Sequence, residues 1–283
     1  MGLFDAYGYE GKRALVVGGA TGMGAAAAEV LVDAGADVVV MDLVEASIEG
    51  TSFIQVDMSD KASIEAAVDE CGGPVHAHFA CAGVADGTPG LEKINFIGHR
   101  HMIDRMLDAD MIPRGSAIGF ISSAAGMGWE SALPWLNEYL AITDFDEASR
   151  WAIDNGQDHY MASKQAVCAY VAREAMPMLR RGIRINAIMP GPTDTPLAQA
   201  NADLWLSFAA DYREEVGTQP STPLEQAYSL VFLCSDAAVA INGMTIISDS
   251  GYTSSGLSGS FPNATGVVEF LMGRVDPSEL ADL

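Results

Sequence analysis

The strongest constraint on the fold lies in the first forty-two residues. The apolar run Ala14-Leu15-Val16-Val17 leads into Gly18-Gly19-Ala20-Thr21-Gly22-Met23-Gly24. An alanine-rich stretch, Ala25 to Ala34, follows, and alanine is the best helix former. Gly35 closes it, and Val38-Val39-Val40-Met41-Asp42 opens a second apolar run. The first run reads as a buried parallel strand; periodicity alone leaves a helix open for so short a segment. Taken as a unit, the segment reads strand, glycine turn, helix, strand.

The alternation continues. The sequence predicts strands at Phe53 to Val56, Val75 to Ala80, Ala117 to Ile121, Ile183 to Ile188 and Met244 to Ser248. Helices are expected over Lys61 to Glu70, Ile94 to Leu107, Met161 to Leu179 and Pro223 to Leu233. Alternating strands and helices imply a parallel sheet covered on both faces. The expected fold class is α/β: a Rossmann-type doubly wound parallel sheet of about seven strands. Neither a linker nor a repeat divides the chain, so residues 1–283 read as one domain. An aromatic-rich insertion at 124–159, a loop at 194–218 and a C-terminal tail at 253–283 depart from the alternation. The first two follow strand C-termini, where open α/β sheets bind ligands.

Composition excludes several partners. The chain carries 15 basic and 38 acidic side chains, a formal charge of −23, with a mean hydropathy of +0.17. It offers no basic stripe for nucleic acid and no attraction to an anionic membrane. The apolar content argues for a packed core rather than disorder. Cys71, Cys81, Cys168 and Cys234 form no Cys-x-x-Cys pair and sit among apolar neighbours, which fits a reduced, cytoplasmic protein. Met1 to Lys12 lacks the pattern of a signal peptide, and no apolar stretch reaches membrane-spanning length. His76, His78, His99 and His101 have no evident third partner for a metal, so none is expected. Met102, Met106 and Met111 read as core filler.

The turn after the first strand suits a dinucleotide. Glycines let backbone approach a pyrophosphate, and a helix N-terminus stabilises its charge. Asp42 ends the second strand near the offset of a ribose-binding carboxylate. No Arg or Lys lies between Gly18 and Asp42, and Leu43 follows, so NAD is expected rather than NADP. Downstream, Tyr160 and Lys164 stand four apart, on one face of a helix. A nearby ammonium and an oxidised nicotinamide favour the phenolate, which can take a proton from an alcohol.

These motifs, in this order, resemble the short-chain dehydrogenase/reductase family over about Gly11 to Tyr252. The family's Thr-Gly-x-x-x-Gly-x-Gly turn corresponds to Val17 to Gly24, with Val17 in place of threonine. Its Asn-Asn-Ala-Gly segment survives only as Ala-Gly in Ala80-Cys81-Ala82-Gly83. The resemblance implies catalytic roles for Asn95, Ser123, Tyr160 and Lys164. Ser123 would hydrogen-bond the reacting oxygen, Tyr160 act as acid/base, Lys164 hold the ribose and lower the Tyr160 pKa, and Asn95 continue a proton relay. It implies cofactor contacts at Gly18, Thr21, Gly22, Met23, Asp42, Leu43, Asp57, Met58, Cys81, Ala82 and Gly83. Further contacts would come from Pro190, Thr193 and Thr195 beside Tyr160 and Lys164.

Ser123 and Tyr160 lie 37 positions apart, against about a dozen in most family members, and little room for a helix exists between Asp42 and Thr51. With the Cys-Ala-Gly segment, this resembles the bacterial 3α-hydroxysteroid dehydrogenase/carbonyl reductase and coniferyl-alcohol dehydrogenase subgroup. That resemblance implies NAD-dependent interconversion of a bulky secondary or aromatic alcohol and its carbonyl compound. Ser123, Met127, Trp129, Leu197, Trp205 and Phe208 are the expected pocket residues. The family's helix pairing implies a homodimer or homotetramer, which the insertion stands to alter. Two further functions stay open at this point: a non-catalytic NAD-binding sensor or scaffold, and an alcohol dehydrogenase for a different small alcohol. The epimerase branch would need glycine at Thr21, and the enoyl-reductase branch spaces its Tyr and Lys more widely than Tyr160 and Lys164.

Overall fold

The computed structural model describes residues 2–275. A short helix α1 (Leu3–Tyr7) precedes β1 (Arg13–Val17), α2 (Gly22–Asp33), β2 (Asp37–Asp42), β3 (Thr51–Gln55) and α3 (Lys61–Cys71). Next come β4 (Ala77–Ala80), a π-turn at Lys93–Ile97 running into α4 (Gly98–Asp108), and β5 (Ala117–Ile121). The insertion forms α5 (Leu133–Ala141) and α6 (Phe145–Asp154) ahead of the long α7 (Tyr160–Arg180). After β6 (Arg184–Pro190) come three short helices, α8 (Pro196–Gln199), α9 (Ala202–Trp205) and α10 (Ala210–Val216). The chain continues through α11 (Pro223–Cys234), β7 (Thr245–Ser248), α12 (Tyr252–Ser258) and α13 (Thr265–Leu271).

All seven strands are parallel, in the order β3-β2-β1-β4-β5-β6-β7. The order reverses between β1 and β4, which is where such a sheet opens a ligand crevice. Side chains alternate across the sheet. Leu15 and Val17 join one core with α3, α4 and α7; Ala14 and Val16 join the other with α2 and α11. Both faces are dry, which explains why the strands read as unbroken apolar runs. Each fully buried Val or Leu contributes about 1.5–3 kcal/mol.

The insertion packs on its own chain. Leu136, Tyr139, Leu140, Phe145, Ala148 and Ala152 are buried in the first core. Trp135 and Tyr139 each stack on Trp151, and Tyr139 meets Phe96, which packs edge-on against Tyr170. Part of the face of α7 and of the π-turn is therefore covered by the insertion. The C-terminal tail folds as α12 and α13, and Leu271 borders the chain's own cleft. Residues 276–283 of the expected tail lie outside the described residues.

Candidate active site

A cleft of about 580 Å³ opens at the C-terminal ends of β4, β5 and β6. One end meets the glycine turn through Met23, Cys81 and Gly83; the other is walled by Leu197, Trp205 and Phe208. Ser123, Tyr160, Lys164, Pro190, Thr193 and Thr195 line it between these ends.

The turn is shaped by close backbone approach. Gly18 has φ +82°, and a Cβ on it would lie 2.3 Å from the Ala82 amide nitrogen. A Cβ on Gly24 would lie 2.0 Å from the Gly18 carbonyl oxygen, so α2 can start this close to β1 only with glycine there. Thr21, the residue before α2, makes no side-chain cap hydrogen bond. Asp42 accepts hydrogen bonds from the backbone N–H of Ala20 (3.0 Å) and Val44 (3.2 Å), which holds its carboxylate beside the turn. Uncapped helix, close-packed glycines and an adjacent carboxylate fit a dinucleotide's pyrophosphate and ribose. Gly22 adjoins Thr195, while Thr21 and Leu43 are exposed at the rim.

Ser123 follows β5 and caps a tight turn at Ala124–Gly126, its Oγ accepting from the Ala125 N–H at 3.2 Å. Its own proton is thus left to donate toward the cleft. The neighbouring Ser122 is buried and spent on the Lys164 carbonyl (3.0 Å) and Cys168 Sγ (3.1 Å). Tyr160 opens α7, and two side chains hold this start. Asp86 Oδ1 accepts from the Tyr160 N–H at 2.7 Å, and His159 Nδ1 accepts from the Ala162 N–H at 3.3 Å. Lys164, one turn on, is buried, its Nζ donating to the Ile121 carbonyl at 3.0 Å and lying 5.4 Å from the Tyr160 ring centre. Trp205 packs tilted against that ring, 4.9 Å between centres.

Burial pushes Tyr160 above its ordinary value and the Asp86 charge adds to this, while the Ser123 hydroxyl pulls the other way. Burial also pulls Lys164 down to about 8. The desolvated lysine is itself drawn toward neutrality.

Several other expected residues sit elsewhere. Asn95 is buried outside the cleft: its amide exchanges two hydrogen bonds with Val84 (2.8 and 3.0 Å) and donates to Ser163 Oγ at 3.1 Å. It clamps the β4 exit to α7, leaving no free amide hydrogen for a relay. Met127 is buried against Cys168 and Met189, and Trp129 packs behind the wall, so neither borders the main cleft. Met58 is buried in the core, and Asp57 Oδ1 accepts from the Ser59 backbone N–H and hydroxyl. Ala82 contributes backbone, its carbonyl 3.0 Å from His99 Nε2. Sequence reasoning missed Asp86, His159 and Leu271. Only His159, directly preceding a helix start, carried a local signal.

Among the described residues, no three His, Cys, Asp or Glu side chains gather as a metal cluster, and no helix is long and apolar enough to cross a membrane. All four cysteines are free.

Known proteins resemble this chain along most of its length. A family model described as Enoyl-(Acyl carrier protein) reductase matches residues 18–253. The cis-4-hydroxycyclohexanecarboxylate dehydrogenase of Sinomonas cyclohexanicum is 29% identical over 86% of this chain and 96% of its own. The coniferyl-alcohol dehydrogenase of Pseudomonas sp. (strain HR199 / DSM 7063) is 26% identical over 86% and 97%. The crystal structure of the 3α-hydroxysteroid dehydrogenase from Pseudomonas sp. B-0831, complexed with NADH, superposes with a TM-score of 0.70. It is 28% identical, with 88% of this chain and 99% of that one covered. With its switch-point cleft, glycine turn and serine, tyrosine and lysine on one wall, the chain belongs to the short-chain dehydrogenase/reductase family, whose dehydrogenases use a nicotinamide cofactor.

Proposed function

We propose that this protein is a cytoplasmic, NAD-dependent oxidoreductase interconverting a bulky secondary or aromatic alcohol and its carbonyl compound. The observation that carries the reading is the cleft itself. It joins the glycine turn to an apolar wall of Leu197, Trp205 and Phe208, with Ser123, Tyr160 and Lys164 between them. The Asp42 carboxylate would accept from ribose hydroxyls and repel a 2′-phosphate, which supports NAD. The 3α-hydroxysteroid dehydrogenase holding NADH supports it too.

The roles follow from what each group has to spare. Ser123 donates its remaining proton to the reacting oxygen, a one-donor oxyanion site. Lys164 has three N–H groups, and Ile121 takes one. The others are left for ribose hydroxyls. Tyr160, raised by burial, is protonated at neutral pH and can give its proton to a carbonyl oxygen; in the alcohol direction it must first lose that proton. Alcohol oxidation should therefore quicken with rising pH. When bound, the nicotinamide supplies the hydride-transfer chemistry.

The test is NADH absorbance with a panel of hydroxysteroids, aryl alcohols and cyclohexanols, using NAD and NADP. Tyr160→Phe should abolish turnover and keep NADH binding. An active Tyr160→Phe protein, or activity confined to small polar sugars, refutes the reading. NADH binding without turnover on any alcohol favours a sensor. The description of the matching family model names a second reaction, enoyl reduction. Tyr160 and Lys164 four apart on α7 favour the alcohol reading, and crotonyl thioester offered with NADH and NADPH, which supply the hydride that enoyl reduction needs, separates the two. A homodimer or homotetramer is part of the proposal and rests on the helix pairing the family resemblance implies.

A further inference from the structure

Leu271 ends α13 and stands in the cleft wall facing the same space as Ser123, Trp205 and Phe208. Its position is set from outside the cleft. Val268 of the same helix is fully buried with Tyr212, Tyr252, Phe261 and Ala264, and Phe208 and Met272 pack against this cluster. Met272 also reaches Met127, Cys168 and Met189 below the wall. On the remaining side, backbone meets backbone. Gly128, at the start of the insertion, has φ +70°, and a Cβ on it would fall 2.6 Å from the Leu271 carbonyl oxygen and 3.0 Å from the Met272 carbonyl carbon. A side chain at 128 would displace the end of α13 as well as strain its own backbone.

The geometry points to Leu271 as the residue that limits how bulky a ligand the cleft admits, with Gly128 positioning it. The inference rests on the reading of the cleft as an apolar alcohol or ketone site and adds the wall that sets its size limit. The wall is tied by α13 to the aromatic cluster that also holds Phe208, so it yields less readily than a side chain on a free loop. An added methylene in such a wall discriminates ligands by about 10- to 200-fold.

The test uses the full chain with NADH present and two probes, 1-phenylethanol with one ring and androsterone with four fused rings. Affinities are read from tryptophan fluorescence, to which Trp205 in the cleft contributes. Leu271→Phe should weaken androsterone about tenfold or more and leave 1-phenylethanol within about twofold. Gly128→Ala, outside the cleft lining, should change the ratio of the two affinities about threefold or more. If Gly128→Ala does not fold, as judged by circular dichroism, Leu271→Phe decides alone. Equal effects on both probes, or none on either, overturn the inference; an unchanged ratio in folded Gly128→Ala overturns the positioning role. Failure of the wild type to bind either probe overturns both the inference and the apolar-site reading. Turnover is read separately with NAD and the same two alcohols, and binding without turnover there overturns only the catalytic reading.

Discussion

Replacing His78 by leucine should make the protein more stable, and less acid-sensitive. His78 lies on β4, fully buried, with neither ring nitrogen bonded among the described residues. Burial pushes it down to about 3, with His99 nearby contributing. His99, also buried, is held down to about 4 by burial, against the hydrogen bond to the Ala82 carbonyl. Both values are depressed on folding, so their contribution is complete above about 6.5 and is lost as pH falls toward the folded values. At pH 5 each buried neutral imidazole costs about 2 kcal/mol, or about 4 kcal/mol for the pair. Asp104 works in the opposite sense: burial raises it to about 6, and its penalty is relieved as it protonates below that pH. Comparing variant with wild type cancels that contribution. His78→Leu should lose about 2 kcal/mol less than wild type between pH 7.5 and 5.0. At pH 7.5 it should also gain about 1–3 kcal/mol, because a buried unpartnered polar group is gone. Urea denaturation followed by circular dichroism at the two pH values measures both. Equal acid losses in the two proteins would refute the reasoning.

Ser123→Ala should lower kcat about 100- to 1,000-fold with NADH affinity unchanged, as separate turnover and nucleotide titrations will show. Asp42→Ala should weaken NADH and relax the exclusion of NADPH, moving the ratio of their dissociation constants by about tenfold; nicotinamide fluorescence reads it directly. Arg184 donates to the carbonyls of Leu233 (2.7 Å), Ser235 (2.8 Å) and Ile241 (3.2 Å), which ties β6 to the end of α11. Arg184→Met leaves those carbonyls without their donor and should cost about 3 kcal/mol in urea unfolding.

The central sheet was legible because a parallel strand buried on both faces leaves an apolar run bounded by glycine. The expected strand at Val75 began two residues before β4, since Val75 bonds to Met111 and only Ala77 onward joins the β1 ladder. Helices α5 and α6 had no such signature; their burial depends on Phe96 and α7, far along the chain. Tyr160, Lys164 and Ser123 could be picked out by order and spacing. The Asp86 cap joins residues 74 positions apart, and the contact of Gly128 with Leu271 is equally non-local. Met127, Trp129 and Met58 have suitable chemistry in suitable segments. Whether an apolar side chain faces a cleft or the core behind it is decided by packing, which pattern alone does not encode.

The insertion between Ser123 and Tyr160 also bears on how such a site can change over time. Closing a loop about three times longer costs only about 1 kcal/mol more in chain entropy. Two helices of buried Leu136, Tyr139 and Phe145 outweigh that easily. The two ends are fixed independently, Ser123 by its turn after β5 and Tyr160 by Asp86 and the start of α7. Beyond Gly128, the stretch carrying α5 and α6 can therefore change in length and sequence while the reacting groups stay in register. A lineage can remodel the outer covering of α7 here without reopening the chemistry.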